Sequence, residues 1–321
     1  MLLRTIVPIL TISTTKFQIT SAAGFTYAPN KDNIDWGAQG LGQCDGKYQS
    51  PIDLIPKQIT PAPLADHVNV AKIMKTVKAQ KWDFNVAQIK TGTHSLKFDF
   101  DPVLEIPNVI IKDNGSLEGL KCPQFHLHIG TSEHTLNGKD YFAEIHMVCH
   151  KDKFADLSEA LLPNNEAHDN LLVFGNWVQI QGNGKNGALI PLSDHDKSVL
   201  PDIKKGYALA SDPATTDFSM KNMKYPCSGN VEKYYRYWGS LTTPTCNEVV
   251  LWTMFSDPVT ISKDDAVEMS KWVPKVINNS RPTKPLYGRF VHVYGEEEEK
   301  CGSVKAVGSI LLSFLCLVLL Q

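Results

Sequence analysis

Three histidines have the types, spacing and surroundings of a metal centre. His126 and His128 stand in Gln124-Phe125-His126-Leu127-His128, and His146 stands in Glu144-Ile145-His146-Met147-Val148. Alternate residues of a strand project from one face. His126 and His128 can therefore aim at one ion while Phe125, Leu127 and Ile129 turn the other way, into a core. A second strand, reached through a polar connection with turn residues Asn137-Gly138, brings His146 to the same ion. Three neutral nitrogens leave a Zn2+ ion a fourth position for water and lower that water's pKa toward neutrality, which supplies a hydroxide nucleophile. Ligand histidines also need their second ring nitrogen held, and Gln124 and Glu144 each precede a ligand by two residues, on its face of the strand. An isolated His-x-His pair reads as two ordinary half-buried strand histidines. The third histidine, with a carboxylate beside it, weighs against that reading.

Such a site needs stiff strands, and the chain is rich in them. Alternating or β-rich runs occur at 95–100, 109–112, 124–129, 143–148, 171–180, 249–255 and 290–293. Helical signals are few and short, at 153–162, 196–203 and 262–272, the last opened by Ser262 three residues before Asp265 in an N-cap arrangement. The pattern predicts an α+β fold, a single domain on a large, mostly antiparallel β-sheet with short peripheral helices. Gly182-Asn183-Gly184-Lys185-Asn186-Gly187 lacks the full spacing of a phosphate-cradling loop and reads as a surface turn.

The chain resembles the alpha class of carbonic anhydrases. The resemblance is carried by Gln49-Ser50-Pro51-Ile52-Asp53, Gln124-Phe125-His126-Leu127-His128, Ser132-Glu133-His134-Thr135, Ala143-Glu144-Ile145-His146, Gly239-Ser240-Leu241-Thr242-Thr243-Pro244 and Arg281-Pro282, in the family's order. It implies a central twisted sheet of about ten strands with zinc in a conical cleft. The implied reaction is reversible hydration of carbon dioxide to bicarbonate and a proton by zinc-hydroxide attack. Thr242 matches the threonine that accepts from the zinc-bound hydroxide and passes its own proton to a carboxylate, matched by Glu133. A hydroxyl whose donor is committed in this way can only accept from the zinc ligand. Thr243 is expected to touch bicarbonate or an inhibitor.

Val148, Val173, Leu241, Val250 and Trp252 match the apolar wall for carbon dioxide. The backbone carbonyl of Asn279 is implied to hold His128. His94, in Thr93-His94-Ser95-Leu96, matches the proton shuttle, a role suited to a histidine titrating near neutrality. His134 matches a hydrogen-bonded structural histidine, whereas His67, His150, His168, His195 and His292 are surface or structural residues. Sulfonamides and small anions are the implied inhibitors.

The chain departs from the family at Thr93, Ile129, Cys149, His150 and Ser280, none of which is a matched ligand. Two other readings are open. Non-catalytic binding relatives exist, but they typically lose a zinc histidine. A zinc hydrolase of another kind would usually carry His-Glu-x-x-His, which is absent from the sequence.

Composition sets outer limits. The 321 residues are 42% hydrophobic and 21% charged, with net charge -2 from 32 basic and 34 acidic residues, so no overall field favours nucleic acid. A small neutral or singly charged substrate fits this balance.

The ends carry more information. Residues 1–23, with Arg4 ahead of an apolar run and small residues at Ser21-Ala22-Ala23, read as a signal peptide. Residues 24–295 form the catalytic domain, and 296–305 an acidic spacer with a possible attachment site at Cys301-Gly302-Ser303. Residues 306–321 form a hydrophobic tail whose apolar part is shorter than the about 20 residues of a span. The tail reads as a glycosylphosphatidylinositol signal, with a single-pass anchor or a secreted form as alternatives. The site is thereby expected at the extracellular face of the plasma membrane, bound to the membrane through this anchor.

Asn114 and Asn278 begin glycosylation triplets. Of the seven cysteines, Cys301 and Cys316 border or lie in the tail. The resemblance implies a Cys44–Cys246 disulfide, which an oxidising compartment permits. Cys122, Cys149 and Cys227 are either buried thiols or hold one further pair.

Overall fold

The computed structural model describes residues 25, 27, 35–55, 59–61, 68–79, 82–86, 95–162, 167–182, 219–223, 231–271 and 279–295. His67, His94, His195, Asn278, Cys227, residues 183–187, the helix expected at 196–203 and both chain ends lie outside them. In chain order the elements begin with β1 (Asp53–Leu54), β2 (Ile59–Pro61), α1 (Val70–Ala79), β3 (Trp82–Val86), β4 (Leu96–Ile111) and β5 (Leu117–Ile129). Next come β6 (Thr135–Leu136), β7 (Ala143–Lys151), α2 (Leu157–Ala160), β8 (Leu171–Ile180) and β9 (Ser219–Met223). The last are β10 (Tyr234–Gly239), β11 (Val250–Phe255), β12 (Val259–Ile261), α3 (Lys263–Ser270) and β13 (Val291–Tyr294).

One large sheet organises the domain, in the order β2-β13-β10-β11-β8-β7-β5-β4-β3-β9, with β12 pairing to β8 off this path. Its pairs are antiparallel except β11 with β8, β12 with β8 and β13 with β2. β1 and β6 form a separate parallel pair. Alternation along the central strands divides the apolar residues between two sides. Phe98, Phe125, Leu127, Met147, Phe174 and Phe255 build the larger core, and Val148, Val173, Trp177, Tyr237, Val250 and Trp252 build a second cluster. β7 is buried at all nine positions, as a strand in mid-sheet must be when both faces are covered.

The runs expected separately at 95–100 and 109–112 belong to one strand, β4. Pro102 and Pro107 lie inside it, each where the β4–β5 register shifts, between Asp99 and Leu104 and between Ile106 and Ile110. A missing N–H there removes no ladder bond. The helix expected at 153–162 shrinks to α2, because Asp156 accepts from the Glu159 N–H at 2.9 Å and caps the helix there.

Helix α1 was not anticipated. It buries Val70, Ile73, Met74 and Val77, an i, i+3, i+4, i+7 stripe worth about 1.5–3 kcal/mol per fully buried side chain. α3 follows Ser262, whose hydroxyl accepts from the Asp265 N–H at 3.0 Å. Two disulfides are present among the described residues. Cys44–Cys246 closes a sequence separation of 202 residues, and Cys122–Cys149 answers the pairing the sequence left open.

Candidate metal centre

Strands β5 and β7 assemble the centre by register. Gln124 lies opposite Val148, His126 opposite His146, and His128 opposite Glu144. Directly opposed residues share a face, so the three histidines meet on one side of the sheet while Phe125, Leu127 and Ile129 are fully buried behind them. The connection between these strands turns at Asn137 and Gly138, both at positive φ, where glycine is unstrained. Asp53 braces the turn by accepting from Thr135 Oγ1 at 2.6 Å and from the Gly138 N–H at 2.9 Å.

The three imidazole rings have centroids 4.7–5.2 Å apart, and each offers a nitrogen within 4.8 Å of the others. Their outer nitrogens are engaged. His126 Nδ1 donates to Gln124 Oε1 at 3.0 Å, and His128 Nδ1 donates to the Asn279 carbonyl at 2.6 Å. His146 Nε2 donates to Glu144 Oε1 at 2.6 Å. Each partner can only accept, so the proton is fixed on that nitrogen and the opposite one keeps a lone pair. His128 Nε2 and His146 Nδ1 are buried and have no hydrogen-bond partner. Buried nitrogens converging without partners are what a metal ion would satisfy.

Asn279 does more than hold His128. Its side chain accepts from the Ile129 N–H and donates to the Leu127 carbonyl, both at 3.2 Å, and so locks the ligand strand on either side of His128. A second close group, His134, Glu144 and His146, is already joined internally. Glu144 accepts from His134 Nδ1 at 2.7 Å, from the His134 N–H at 2.8 Å and from His146. His134 Nε2 continues to Tyr237 Oη at 2.6 Å, which is bonded to Ser50 Oγ at 2.9 Å. This group is a buried brace with its lone pairs spent.

Electrostatics agree with neutral ligands. Burial lowers the His126 pKa well below the usual histidine range, reinforced by His146 and His128; burial also lowers His128, against the pull of Glu133. Burial alone would raise Glu144, but His134 and His146 outweigh it and leave the carboxyl below its ordinary range. Both histidines bind a proton less readily folded than unfolded, so the unfolded chain takes up more protons as pH falls through about 6.5. The metal-free protein is therefore expected to lose stability on acidification from about pH 8 to about pH 5. Urea midpoints across that window measure this, and a midpoint that stays level contradicts it.

Around the triad, Glu133 is fully buried, with Oε1 accepting from the Arg281 N–H at 2.9 Å and Oε2 without a hydrogen bond, 3.3 Å from His128 Nε2 and 3.9 Å from His146 Nδ1. Thr242 is buried and Thr243 half-buried, in the loop closed by Cys246 N–H donating to the Thr243 carbonyl at 2.8 Å. Val148, Val173, Val250 and Trp252 lie together in the second apolar cluster, with Leu241 packed against it. Register places Gln124, Val148, Val173, Trp252 and Tyr237 in one row across five strands. Asn114 is exposed, its side chain accepting from Ser116 within its own turn. His150 and His134 are buried, His168 bonds the Glu248 carbonyl at 3.1 Å, and His292 is half-buried beside Trp238 and Phe290.

Sequence reasoning assigned no role to Arg281, Tyr237 or Ser50. The Arg281 guanidinium is buried and donates to Gln49 Oε1, to the Ser50 carbonyl and to the Cys44 carbonyl at 2.8–2.9 Å, while its backbone fixes Glu133. Burial lowers its pKa to about 10, against the pull of Glu133, which leaves it cationic at neutral pH. Its signal in the sequence was membership of two separate motifs, Gln49-Ser50-Pro51 and Arg281-Pro282, that meet only in the fold.

The model of the eukaryotic-type carbonic anhydrase family matches residues 31–295. Carbonic anhydrase 4 of Rattus norvegicus is 27% identical over 266 residues, covering 79% of this chain and 77% of the relative. Carbonic anhydrase 12 of Homo sapiens is 26% identical over 307 residues, covering 89% and 77%, and carbonic anhydrase 6 of Bos taurus is 28% identical over 272 residues, covering 81% and 76%. With the sheet, the histidine face and this match over most of its length, the chain belongs to the eukaryotic-type carbonic anhydrase family, the enzymes that interconvert carbon dioxide and bicarbonate.

Proposed function

We propose that this chain hydrates carbon dioxide reversibly at a zinc ion held by His126, His128 and His146. The carrying observation is the convergence of three ring nitrogens whose opposite nitrogens are each committed to an acceptor. Bound there, zinc supplies a water acidified to a pKa of about 7, a magnitude taken from carbonic anhydrase itself, and hence a nucleophile at neutral pH. The chain's residues do the rest. Glu133, with one oxygen fixed by Arg281, presents its other oxygen to a donor, and the Thr242 hydroxyl fills that role. With its proton committed, Thr242 can only accept from the nucleophile and orients it. The apolar wall of Val148, Val173, Leu241, Val250 and Trp252 holds carbon dioxide weakly and excludes water, and Thr243 contacts bicarbonate, a sulfonamide or a small anion. The test is stopped-flow hydration by the zinc-loaded full chain; zinc bound at one ion per chain without hydration above the buffer rate overturns the proposal.

His94 carries the proton out in this reading. Its segment precedes β4, where Leu96 pairs with Leu127 and Lys97 with His126. His94→Ala is expected to slow turnover by about 100-fold or more at low buffer concentration, with rescue by imidazole. Equal rates in the two proteins assign the proton to another path.

The protein is proposed to act at the extracellular face of the plasma membrane, tethered through residues 296–321 after removal of 1–23. Two disulfides suit an oxidising compartment, and glycans at Asn114 and Asn278 agree with export. No helix among the described residues is long and apolar enough to cross a membrane. Release from cell surfaces by a phosphatidylinositol-specific phospholipase supports the lipid anchor, and retention supports a spanning tail.

A further inference from the structure

Beyond Leu127 the ligand strand changes partners. β4 begins at Leu96, opposite Leu127, so no described residue of β4 accompanies the stretch from His128 to Glu133. In extended chain the backbone groups of successive residues point to opposite edges. On one edge the Gly130 N–H donates to the Phe142 carbonyl at 3.1 Å and the Ser132 N–H to the Tyr141 carbonyl at 2.9 Å, which continues the approach of β7. On the other edge residues 279–281 take the place of β4. Asn279 bonds the Leu127 carbonyl and the Ile129 N–H, Ser280 Oγ donates to the Thr131 carbonyl at 2.7 Å, and the Arg281 N–H donates to Glu133 Oε1 at 2.9 Å.

This strap holds a metal ligand at one end and the gatekeeper's carboxylate at the other. The Asn279 carbonyl accepts from His128 Nδ1 at 2.6 Å, and the Arg281 N–H fixes Glu133. That carbonyl and that N–H belong to adjacent peptide planes, which meet at the Cα of Ser280. Only φ and ψ of Ser280 therefore separate the group that orients His128 from the group that orients Glu133. Ser280 is fully buried, and its hydroxyl ties this joint to the Thr131 carbonyl, midway between the two held residues. It is also one of the positions at which the chain departs from its family.

We propose that Ser280 is a positioning residue that couples His128 to Glu133, so that zinc retention and hydration both depend on its hydroxyl; the inference rests on the triad being the zinc site and on Glu133 serving Thr242. A hydroxyl that merely stabilised the fold would act on the thermal midpoint alone. A joint between ligand and carboxylate acts on both functions.

The test compares zinc-loaded full chains. Ser280→Ala is expected to release zinc to excess chelator at least about threefold faster than wild type and to lower kcat/KM for hydration by at least about threefold. Ile73→Val, a loss of core volume in α1, and Asn278→Gln, which removes the same glycosylation triplet while keeping Ser280, should move neither quantity. In a Glu133→Gln background Ser280→Ala should cost hydration little more. Wild-type values of both quantities in Ser280→Ala, a change in only one, the same changes in Ile73→Val or Asn278→Gln, or an undiminished loss in the Glu133→Gln background each overturn the coupling alone. A wild-type chain that holds no zinc, or holds it equally well after His126→Ala, overturns the triad and the coupling together. Should Ser280→Ala not fold, amide exchange in the wild type decides. Zinc loading that slows the Ile129 and Arg281 amides together, with the Asp265 amide of α3 unchanged, supports the coupling, and an Arg281 amide indifferent to zinc overturns it.

Discussion

Replacing His126 with alanine is expected to abolish zinc retention and carbon dioxide hydration together. His126 is the most exposed of the three ligands, half-buried where His128 and His146 are almost wholly buried. Its removal therefore leaves the core intact and should cost little stability. What it removes is one of three converging lone pairs, in a site where loss of a mere supporting partner already costs about 10–100-fold in affinity or activity. A ligand loss should exceed that, so the variant should hold no zinc after dialysis against a weak chelator and hydrate at the buffer rate. Full hydration by the zinc-equilibrated variant would sink the ligand assignment. Near-wild-type dichroism alongside lost activity would show that the effect is local.

Glu144→Ala is expected to damage both the fold and the site. One carboxylate accepts from His134 Nδ1, the His134 N–H and His146 Nε2, all buried. Alanine strands these donors without water, and removing one partner from a buried charged network costs about 3–5 kcal/mol. It also frees His146 to place its proton on Nδ1, the nitrogen that must carry the lone pair. Glu144→Gln keeps the volume and one acceptor, but its NH2 would face ring N–H donors. The expected order in urea midpoint and in zinc affinity is wild type, Gln, then Ala. An alanine variant as stable as wild type, with undiminished zinc affinity, would show that the brace carries nothing.

Strand alternation made much of the centre legible before any coordinates. The period of two alone separates His126 and His128 from Phe125, Leu127 and Ile129, and a carboxylate two residues before a histidine reaches it on any strand. Long-range contacts were another matter. Arg281 lies 148 residues from Glu133 and 237 from Cys44 along the chain, and no local pattern announces that a surface-type side chain is to be buried between them. The continuity of β4 from the run at 95–100 to the run at 109–112 was not legible, because the cost of an intervening proline depends on whether its position faces a ladder bond, which only the pairing decides. α1 was overlooked although Val70, Ile73, Met74 and Val77 follow a helical stripe, because the interleaved lysines hide its apolar face in any windowed average. The Cys122–Cys149 pairing depends on the register of β5 against β7, which no local pattern fixes.

The turn at Asn137 and Gly138 has a consequence for assembly. It makes the ligand strands near neighbours in the chain, with His126 and His146 only 20 positions apart, whereas the Cys44–Cys246 closure spans 202. Closure entropy grows with the logarithm of loop length, so the ligand hairpin is among the least costly non-local contacts in the domain. Metal capture can thus precede docking of Arg281, Asn279 and the Thr242 loop, each of which must be recruited from far along the chain. A nascent chain would acquire its ion first and its selectivity afterwards.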